Sequence, residues 1–140
     1  MFIQSANFKH REILMTQKTL ITSGSKWEPL LGYSRAVVAG NTIYVSGTCG
    51  VEADGSVAPD MYGQAKRALE IIGAALAQAG AGMKDVVRTR IFVTDASKFD
   101  DIAKAHGEIF GDIRPATTIV EVSRLVDACF MVEIEAVAVI

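Results

Sequence analysis

A stripe of small apolar residues between positions 65 and 79 limits this chain to a layered fold. The stripe recurs at spacings of three and four residues, which is the period of one face of an α-helix. Its members are Ala65, Ala68, Leu69, Ile72, Ala75, Leu76 and Ala79. Asp60 precedes the stripe and can cap the first turn of the helix. Because many of these side chains are alanine, we expect the helix to pack closely on a flat partner, most simply a β-sheet.

Alternating segments supply the strands of that sheet. They cover residues 18–23, 34–38, 42–46, 86–94, 117–122 and 132–139. Gly40 and Asn41 form a tight-turn sequence between the second and third segments, which predicts a hairpin. The stretch 24–32 contains glycine, serine and proline, and we predict that it is a loop.

A second helix is predicted between the fourth and fifth strands. Ser97 can cap it, apolar residues from Ile102 to Phe110 form its buried stripe, and Gly111 ends it. The order is therefore three strands, a helix, a strand, a helix and two strands. This order predicts an α+β fold, a two-layer sandwich in which a mixed sheet carries two helices on one face.

The two faces of the predicted sheet raise a packing problem. In the fourth strand, strict alternation places Val87 on the face of Thr89 and Val86 on the opposite face. In the last strand both faces are apolar, with Ala136 opposed by Val137. Because a strand that is apolar on both sides is buried on both sides, the second face needs a cover. Another copy of the chain is the simplest candidate.

Composition limits the partners and the location of the chain. Its 140 residues suffice for one domain, half of them are hydrophobic, and the mean hydropathy is +0.29. The net charge is -2 and no run of Lys or Arg stands out, so no nucleic-acid partner is expected. No apolar run approaches the roughly 20 residues of a membrane-spanning helix, so no membrane association is expected. Cys49 and Cys129 fit neither a zinc pattern nor a disulfide framework, which indicates free thiols in the cytoplasm.

Residues 1–17 are mixed in character and lack the apolar core of a signal peptide. We interpret them as an N-terminal arm that precedes a single domain over residues 18–140. A mobile arm and a translation start at Met15 are both compatible with this segment.

Several segments resemble a known family over about residues 18 to 140. They are Val45-Ser46-Gly47 after the hairpin, the helix end at Ala79-Gly80, the strand 86–94 with Asp95, and the closing blocks 114–125 and 132–139. These segments are similar to those of the YjgF/Rid family, the reactive intermediate deaminases or endoribonuclease L-PSP-like proteins. The resemblance implies a chorismate-mutase-like fold and a homotrimer with small-molecule clefts between subunits. In the deaminase branch, these clefts bind 2-imino acids or enamines and water hydrolyses them to 2-keto acids and ammonia, with no metal or organic cofactor.

The resemblance also assigns roles to individual residues. Glu133 matches the glutamate proposed to position the attacking water. The alternative is a structural ion pair with a nearby arginine, for which the candidates are Arg88, Arg90 and Arg124. Gly47 matches a glycine whose backbone amide faces the ligand, and Thr48 follows it at the same mouth. Tyr33 matches the aromatic residue that lines the cleft.

One position departs from the deaminase pattern. Thr117 stands where that branch has the arginine that holds the substrate carboxylate, and a hydroxyl supplies no charge. Arg35 lies two residues after Tyr33 on the same predicted strand, so alternation places both on one face. Our hypothesis is that Arg35 binds the anion instead, the alternative being a solvated or paired strand arginine. Arg114 is a second candidate, with a surface loop charge as its alternative.

Three functions remain open at this point. The first is a cofactor-free hydrolase of the imine or enamine deaminase type, in which Glu133 is catalytic. The second is a non-catalytic metabolite-binding protein that uses the same cleft for a small carboxylate. The third, an endoribonuclease or translation inhibitor, is disfavoured by the pI of about 5.6. Cys49 is not expected to be a nucleophile, because His10 and His106 are poorly placed to act as its base.

Overall fold

The computed structural model describes residues 18–140, so the expectations for the N-terminal arm and for a start at Met15 lie outside the described residues. The elements in chain order are β1 (Lys18–Ile21), α1 (Trp27–Leu31), β2 (Ala36–Ala39), β3 (Thr42–Thr48), α2 (Met61–Gln78), β4 (Val86–Val93), α3 (Phe99–Phe110), β5 (Ala116–Glu121) and β6 (Val132–Val139). Short 3-10 turns precede β4 and α3.

The strands form one six-stranded sheet in the order β1-β2-β3-β6-β4-β5. All neighbouring pairs are antiparallel except β4 and β5, which are parallel because α3 carries the chain back across one face of the sheet. The predicted mixed sheet is therefore confirmed. The last strand, β6, lies in the interior of the sheet between β3 and β4, so both of its backbone edges are paired.

The two long helices, α2 and α3, cover one face of the sheet and enclose the core. The predicted stripe of α2 is buried, with Leu69 and Ile72 at most 1% exposed. Asp60 caps this helix as expected, because its carboxylate accepts a hydrogen bond from the backbone N–H of Gly63 at 2.9 Å. Beneath the helices lie the alternate residues of β6, including Ile134 at 1% exposure. The α+β two-layer architecture is confirmed.

The other face of the sheet is exposed along its middle, and we call it the open face. It carries Tyr44 at 52% exposure, together with Val137, Arg90 and Glu135. These residues surround a shallow depression of about 260 Å³. Apolar and charged side chains alternate here where a solvated sheet would be polar throughout, so the open face retains the packing problem that the sequence raised.

The predicted loop 24–32 contains the short helix α1, which is a correction. One carboxylate oxygen of Glu28 accepts hydrogen bonds from the backbone N–H groups of Ser23 and Ser25, at 3.1 and 3.2 Å. Gly32 then ends the helix in the left-handed conformation, with φ of 82°. A five-residue helix held by one buried carboxylate has no apolar period, so hydrophobic patterning could not reveal it.

Two further local predictions were wrong. Helix α3 begins at Phe99 and is not capped by Ser97, because Asp95 accepts from the backbone N–H of Ser97 at 3.0 Å and a 3-10 turn follows. In β4 the register shifts by one residue against β6, which is a β-bulge. Val86 is consequently buried, and Val87 is 47% exposed instead of facing the core beside Thr89.

Candidate functional site

Glu133 lies on the open face of β6 and is half-buried there. Burial raises the pKa of its carboxyl above the usual value, Glu135 raises it further, and Arg35 opposes both effects. Within residues 18–140, Glu133 forms no ion pair. Arg90, one of the candidate partners, pairs with Glu135 at 2.8 Å. The structural alternative for Glu133, an ion pair with a nearby arginine, is therefore not what the structure shows in this part of the chain.

A β-bulge in β3 brings Gly47 directly under Glu133. The pairing of β3 with β6 shifts between Val45 and Thr48, so the residues between them leave the regular ladder. A Cβ atom built on Gly47 would collide with Oε1 of Glu133. Glycine is therefore required here for this close approach of the carboxylate to the backbone. The ligand-facing role of the Gly47 amide stays a prediction.

Arg35 completes this arrangement from the other side of the bulge. Its Nη2 donates to the carbonyl oxygen of Gly47 at 3.0 Å, and its guanidinium carbon lies 5.6 Å from the centre of the Tyr33 ring. We call Tyr33, Arg35, Gly47 and Glu133 the Glu133 cluster. Strand β2 begins only at Ala36, so the prediction that Tyr33 and Arg35 lie on a strand was wrong. Their contact arises in the loop that precedes it.

Serine side chains hold that loop against the bulge. The Ser46 hydroxyl donates to the carbonyl oxygen of Ser34 at 2.6 Å, and the Ser46 N–H donates to the carbonyl oxygen of Arg35 at 3.0 Å. The Nε of Arg35 is buried and has no hydrogen-bond partner among the described residues. Since an unsatisfied buried donor costs about 1–3 kcal/mol, an acceptor supplied from outside this chain would be stabilising at that guanidinium.

Cys49 lies within electrostatic range of the same cluster. Burial raises the pKa of its thiol to about 12, Glu133 adds to the increase, and Arg35 acts in the opposite direction. The thiol is therefore protonated at neutral pH and is a weak nucleophile.

Three other predicted site residues lie apart from the Glu133 cluster within one chain. The side chain of Thr48 is fully buried and donates to the carbonyl oxygen of Ser46 at 2.7 Å, so it does not face Glu133. Thr117 lies on β5, where it is in register with Thr89 of β4. Arg114 lies between α3 and β5, is exposed, and adopts a positive φ of 56°.

The sequence did not reveal a hydrogen-bond network beside Thr117. The Thr117 hydroxyl lies 2.8 Å from the hydroxyl of Thr89, which in turn lies 2.9 Å from Nε2 of His106. His106 also packs on Phe110 with ring centres 4.5 Å apart, and burial lowers its pKa. Only the parallel register of β4 and β5 could have indicated the bond between the two threonines.

The described part of the chain lacks a cluster of side chains that could coordinate a metal ion. Over residues 18–140, no group of three His, Cys, Asp or Glu side chains is placed to hold one. None of the described helices is long and apolar enough to cross a membrane. The chemistry available in the Glu133 cluster is that of a carboxylate, a guanidinium, an aromatic ring and backbone amides.

The chain is similar to known proteins in family, sequence and structure. The family model described as endoribonuclease L-PSP matches residues 14–140. A crystal structure of Rv2704 from Mycobacterium tuberculosis, described as a member of the YjgF/YER057c/UK114 family, superimposes with a TM-score of 0.83. The two sequences are 44% identical, and the similarity covers 89% of this chain and 100% of that one.

Two relatives extend the comparison. A RutC family protein of Pyrococcus abyssi is 34% identical over 130 residues, covering 91% of this chain and 96% of the relative. A protein of Dermatophagoides farinae named 2-iminobutanoate/2-iminopropanoate deaminase is 34% identical over 128 residues, covering 90% of this chain and 99% of the relative. Each spans almost the whole of the described domain.

Proposed function

Because the chain belongs to the endoribonuclease L-PSP family, also known as the YjgF/Rid family, we propose that it binds a small organic acid in clefts between identical subunits. We further propose that it hydrolyses a 2-imino or enamine acid to a keto acid and ammonia. The carrying observation is the half-buried carboxylate of Glu133, which lies over Gly47 without an ion-pair partner among the described residues. The relative named as a 2-iminobutanoate/2-iminopropanoate deaminase supports the choice of reaction.

The residues of the Glu133 cluster divide the chemistry between them. Arg35 holds the substrate carboxylate with the N–H groups that do not bind Gly47. Glu133, whose pKa is raised, accepts a proton from water as the water oxygen attacks C2 of the imine. The protonated Glu133 then returns this proton to the nitrogen, which gives a carbinolamine. Glu133 next takes the proton from the carbinolamine hydroxyl and passes it to the nitrogen, so that the C=O bond forms as the C–N bond breaks and ammonia leaves. One imino acid and one water give one keto acid and one ammonia.

A second copy of the chain is part of this proposal. Thr117 is in register with Thr89, which is fully buried on the helix side, whereas Glu133 lies on the open face. A site that contains both Glu133 and Thr117 therefore needs two chains. We propose a homotrimer in which the open faces pack together and the β5 edge of one subunit meets the Glu133 cluster of the next. The apolar side chains of the open face, such as Tyr44, support this packing.

A non-catalytic metabolite-binding protein is the second candidate function. The observation that favours it is Thr117, whose neutral hydroxyl is hydrogen-bonded within its own chain and supplies no charge to a substrate. A protein of this kind would keep the cleft and its affinity for a small acid while lacking turnover. The two functions differ in one measurable quantity, the rate of keto-acid release.

The decisive experiment measures ammonia and keto-acid release from freshly generated 2-iminobutanoate. The Glu133→Gln variant removes the proton acceptor and keeps its shape, and Glu135→Gln is the matched control two residues along the same face of β6. We expect the rate above buffer to fall at least about 100-fold in Glu133→Gln, the range of general acid–base contributions, and to persist in Glu135→Gln. A wild-type rate equal to that of the buffer would leave only the binding function.

A further inference from the structure

The hydrogen-bond network beside Thr117 restricts what that residue can offer to a ligand. The Thr117 hydroxyl has two partners in its own chain, the hydroxyl of Thr89 at 2.8 Å and the carbonyl oxygen of Pro115 at 3.1 Å. Thr89 is fully buried and has His106 as its other side-chain partner. The position of the Thr117 hydroxyl is therefore fixed by two strands and, through Thr89, by helix α3.

The Thr117 hydroxyl donates its proton within its own chain, whichever way the hydrogen bonds of this network run. If Nε2 of His106 carries a proton, it donates to Thr89, Thr89 donates to Thr117, and Thr117 donates to the Pro115 carbonyl. If Nε2 is unprotonated, Thr89 donates to His106 and Thr117 donates to Thr89. A hydroxyl has a single proton. In both cases Thr117 donates this proton within the chain, so only its lone pairs are available to a ligand.

The neighbouring backbone strengthens this preference. Proline has no N–H group, so Pro115 contributes only its carbonyl oxygen, which lies 3.1 Å from the Thr117 hydroxyl. A carboxylate placed here would face two acceptor oxygens. To accept the Thr117 proton it would have to break an existing hydrogen bond, and this exchange leaves a polar group without its partner. A ligand group that donates breaks none of these bonds.

We propose that Thr117 is a specificity-determining acceptor, and that the ligand group it meets carries an N–H or O–H donor and not a carboxylate. This inference rests on the proposed function, because it assumes that β5 borders the cleft. The ligand class it names is a small acid with two different ends. Its carboxylate binds Arg35, and a hydroxyl, amide or amine binds Thr117.

Matched pairs of small acids test the inference directly. Each pair has the same chain length and differs at one end, being a hydroxy acid or a diacid: 3-hydroxypropanoate and malonate, 4-hydroxybutanoate and succinate, 5-hydroxypentanoate and glutarate. Isothermal titration calorimetry of the full chain measures both affinities. We expect the hydroxy acid of the best-fitting length to bind at least tenfold more tightly than its diacid.

Variants at and beside position 117 identify the responsible group. Thr117→Val removes the lone pairs and should reduce hydroxy-acid affinity about tenfold, with little change for the diacid. Thr117→Ser keeps the hydroxyl and should keep the preference, which excludes a folding effect. Thr118→Val is the matched control, since the next residue of β5 points to the opposite face.

The possible failures are distinguishable. If acids bind but wild type prefers the diacid, or if Thr117→Val keeps the wild-type preference, the inference is wrong and the proposed cleft stands. If none of the six acids binds to wild type while 2-oxobutanoate does, the inference is wrong and the proposed cleft stands. If 2-oxobutanoate does not bind either, the proposed cleft is refuted, and the inference with it. Thr117→Arg offers a positive check, because a guanidinium at this position should reverse the preference towards the diacid.

Discussion

The two faces of the sheet use the same strands for different purposes. On the helix-covered face, Ile134 and Ala136 of β6 are at most 2% exposed and pack beneath the two long helices. On the open face, the alternate residues of the same strand include Glu133 and Glu135, two carboxylates on a largely apolar surface. Burial of apolar area accounts for the first face. The second face contributes little apolar burial within a single chain, and we propose that subunit assembly and ligand binding account for its composition.

A charge on the open face should have the largest effect. Val137→Asp places a carboxylate in the proposed subunit interface, where an unpaired buried charge costs several kcal/mol. We expect the mass measured by analytical ultracentrifugation to fall from trimer to monomer. Val126→Asp is the matched control, because Val126 is 90% exposed in the loop before β6. A wild-type chain that is itself monomeric at working concentration would refute the trimer.

Substitutions that remove side-chain volume should lower the free energy of unfolding more on the helix-covered face than on the open face. Ile134→Ala creates a cavity beneath the helices and should cost about 2–5 kcal/mol in the free energy of unfolding, measured by urea titration. Val137→Ala, three residues along the same strand, should cost less than about 1.5 kcal/mol at protein concentrations low enough to dissociate subunits. Equal losses under those conditions would show that the open face is packed within one chain.

The pH dependence of stability should distinguish the buried carboxylate of Glu28 from the half-buried carboxylate of Glu133. We expect these effects to be smaller than those of the preceding variants. Burial alone would raise the pKa of Glu28, but hydrogen bonds from Ser23, Thr22 and Ser25 hold it below its usual value. Its contribution is therefore present above the unfolded pKa of about 4.5 and is lost as the pH falls below that value. Glu28→Gln should lose about 1–2 kcal/mol at pH 7, and this loss should shrink in acid.

Glu133 should show the opposite sign. Its pKa is raised, so the folded chain holds its proton more tightly than the unfolded chain does. Stability therefore falls as the pH rises from the unfolded to the folded pKa, and Glu133→Gln should be as stable as wild type or more stable at pH 7. Thermal unfolding at pH 3 to 8 measures both variants. A destabilised Glu133→Gln at neutral pH would indicate a structural role for this carboxylate.

The sequence was sufficient for features that depend on periodicity. The stripe of α2, the alternation of β6 and the tight turn at Gly40 each follow from local patterns, and the family resemblance located Glu133 and Gly47. Features that depend on the register between paired strands could not be predicted from the sequence. The bulge that brings Gly47 to Glu133, the exposure of Val87 and the bond between two threonines all arise only when distant strands meet.

The position of Arg35 was also only partly predictable from the sequence. Strand alternation brought Tyr33 and Arg35 together for the wrong reason, since both precede β2 and are joined through a loop. The hypothesis that Arg35 serves as the anion-binding group stays a prediction. The sequence alone could not show that one of its N–H groups binds Gly47 and that its Nε is left without a partner in the described chain.

We propose that Arg35, next to Glu133, is the cation that binds a ligand carboxylate. Calorimetric titration with 2-oxobutanoate, a stable keto acid, tests it in wild type, Arg35→Gln and Arg67→Gln. Arg67 is the matched control, because it lies on α2 and is already paired with Glu52 and Glu70. We expect at least a tenfold loss of affinity in Arg35→Gln and none in Arg67→Gln. Binding of 2-oxobutanoate to Arg35→Gln with wild-type affinity would contradict it.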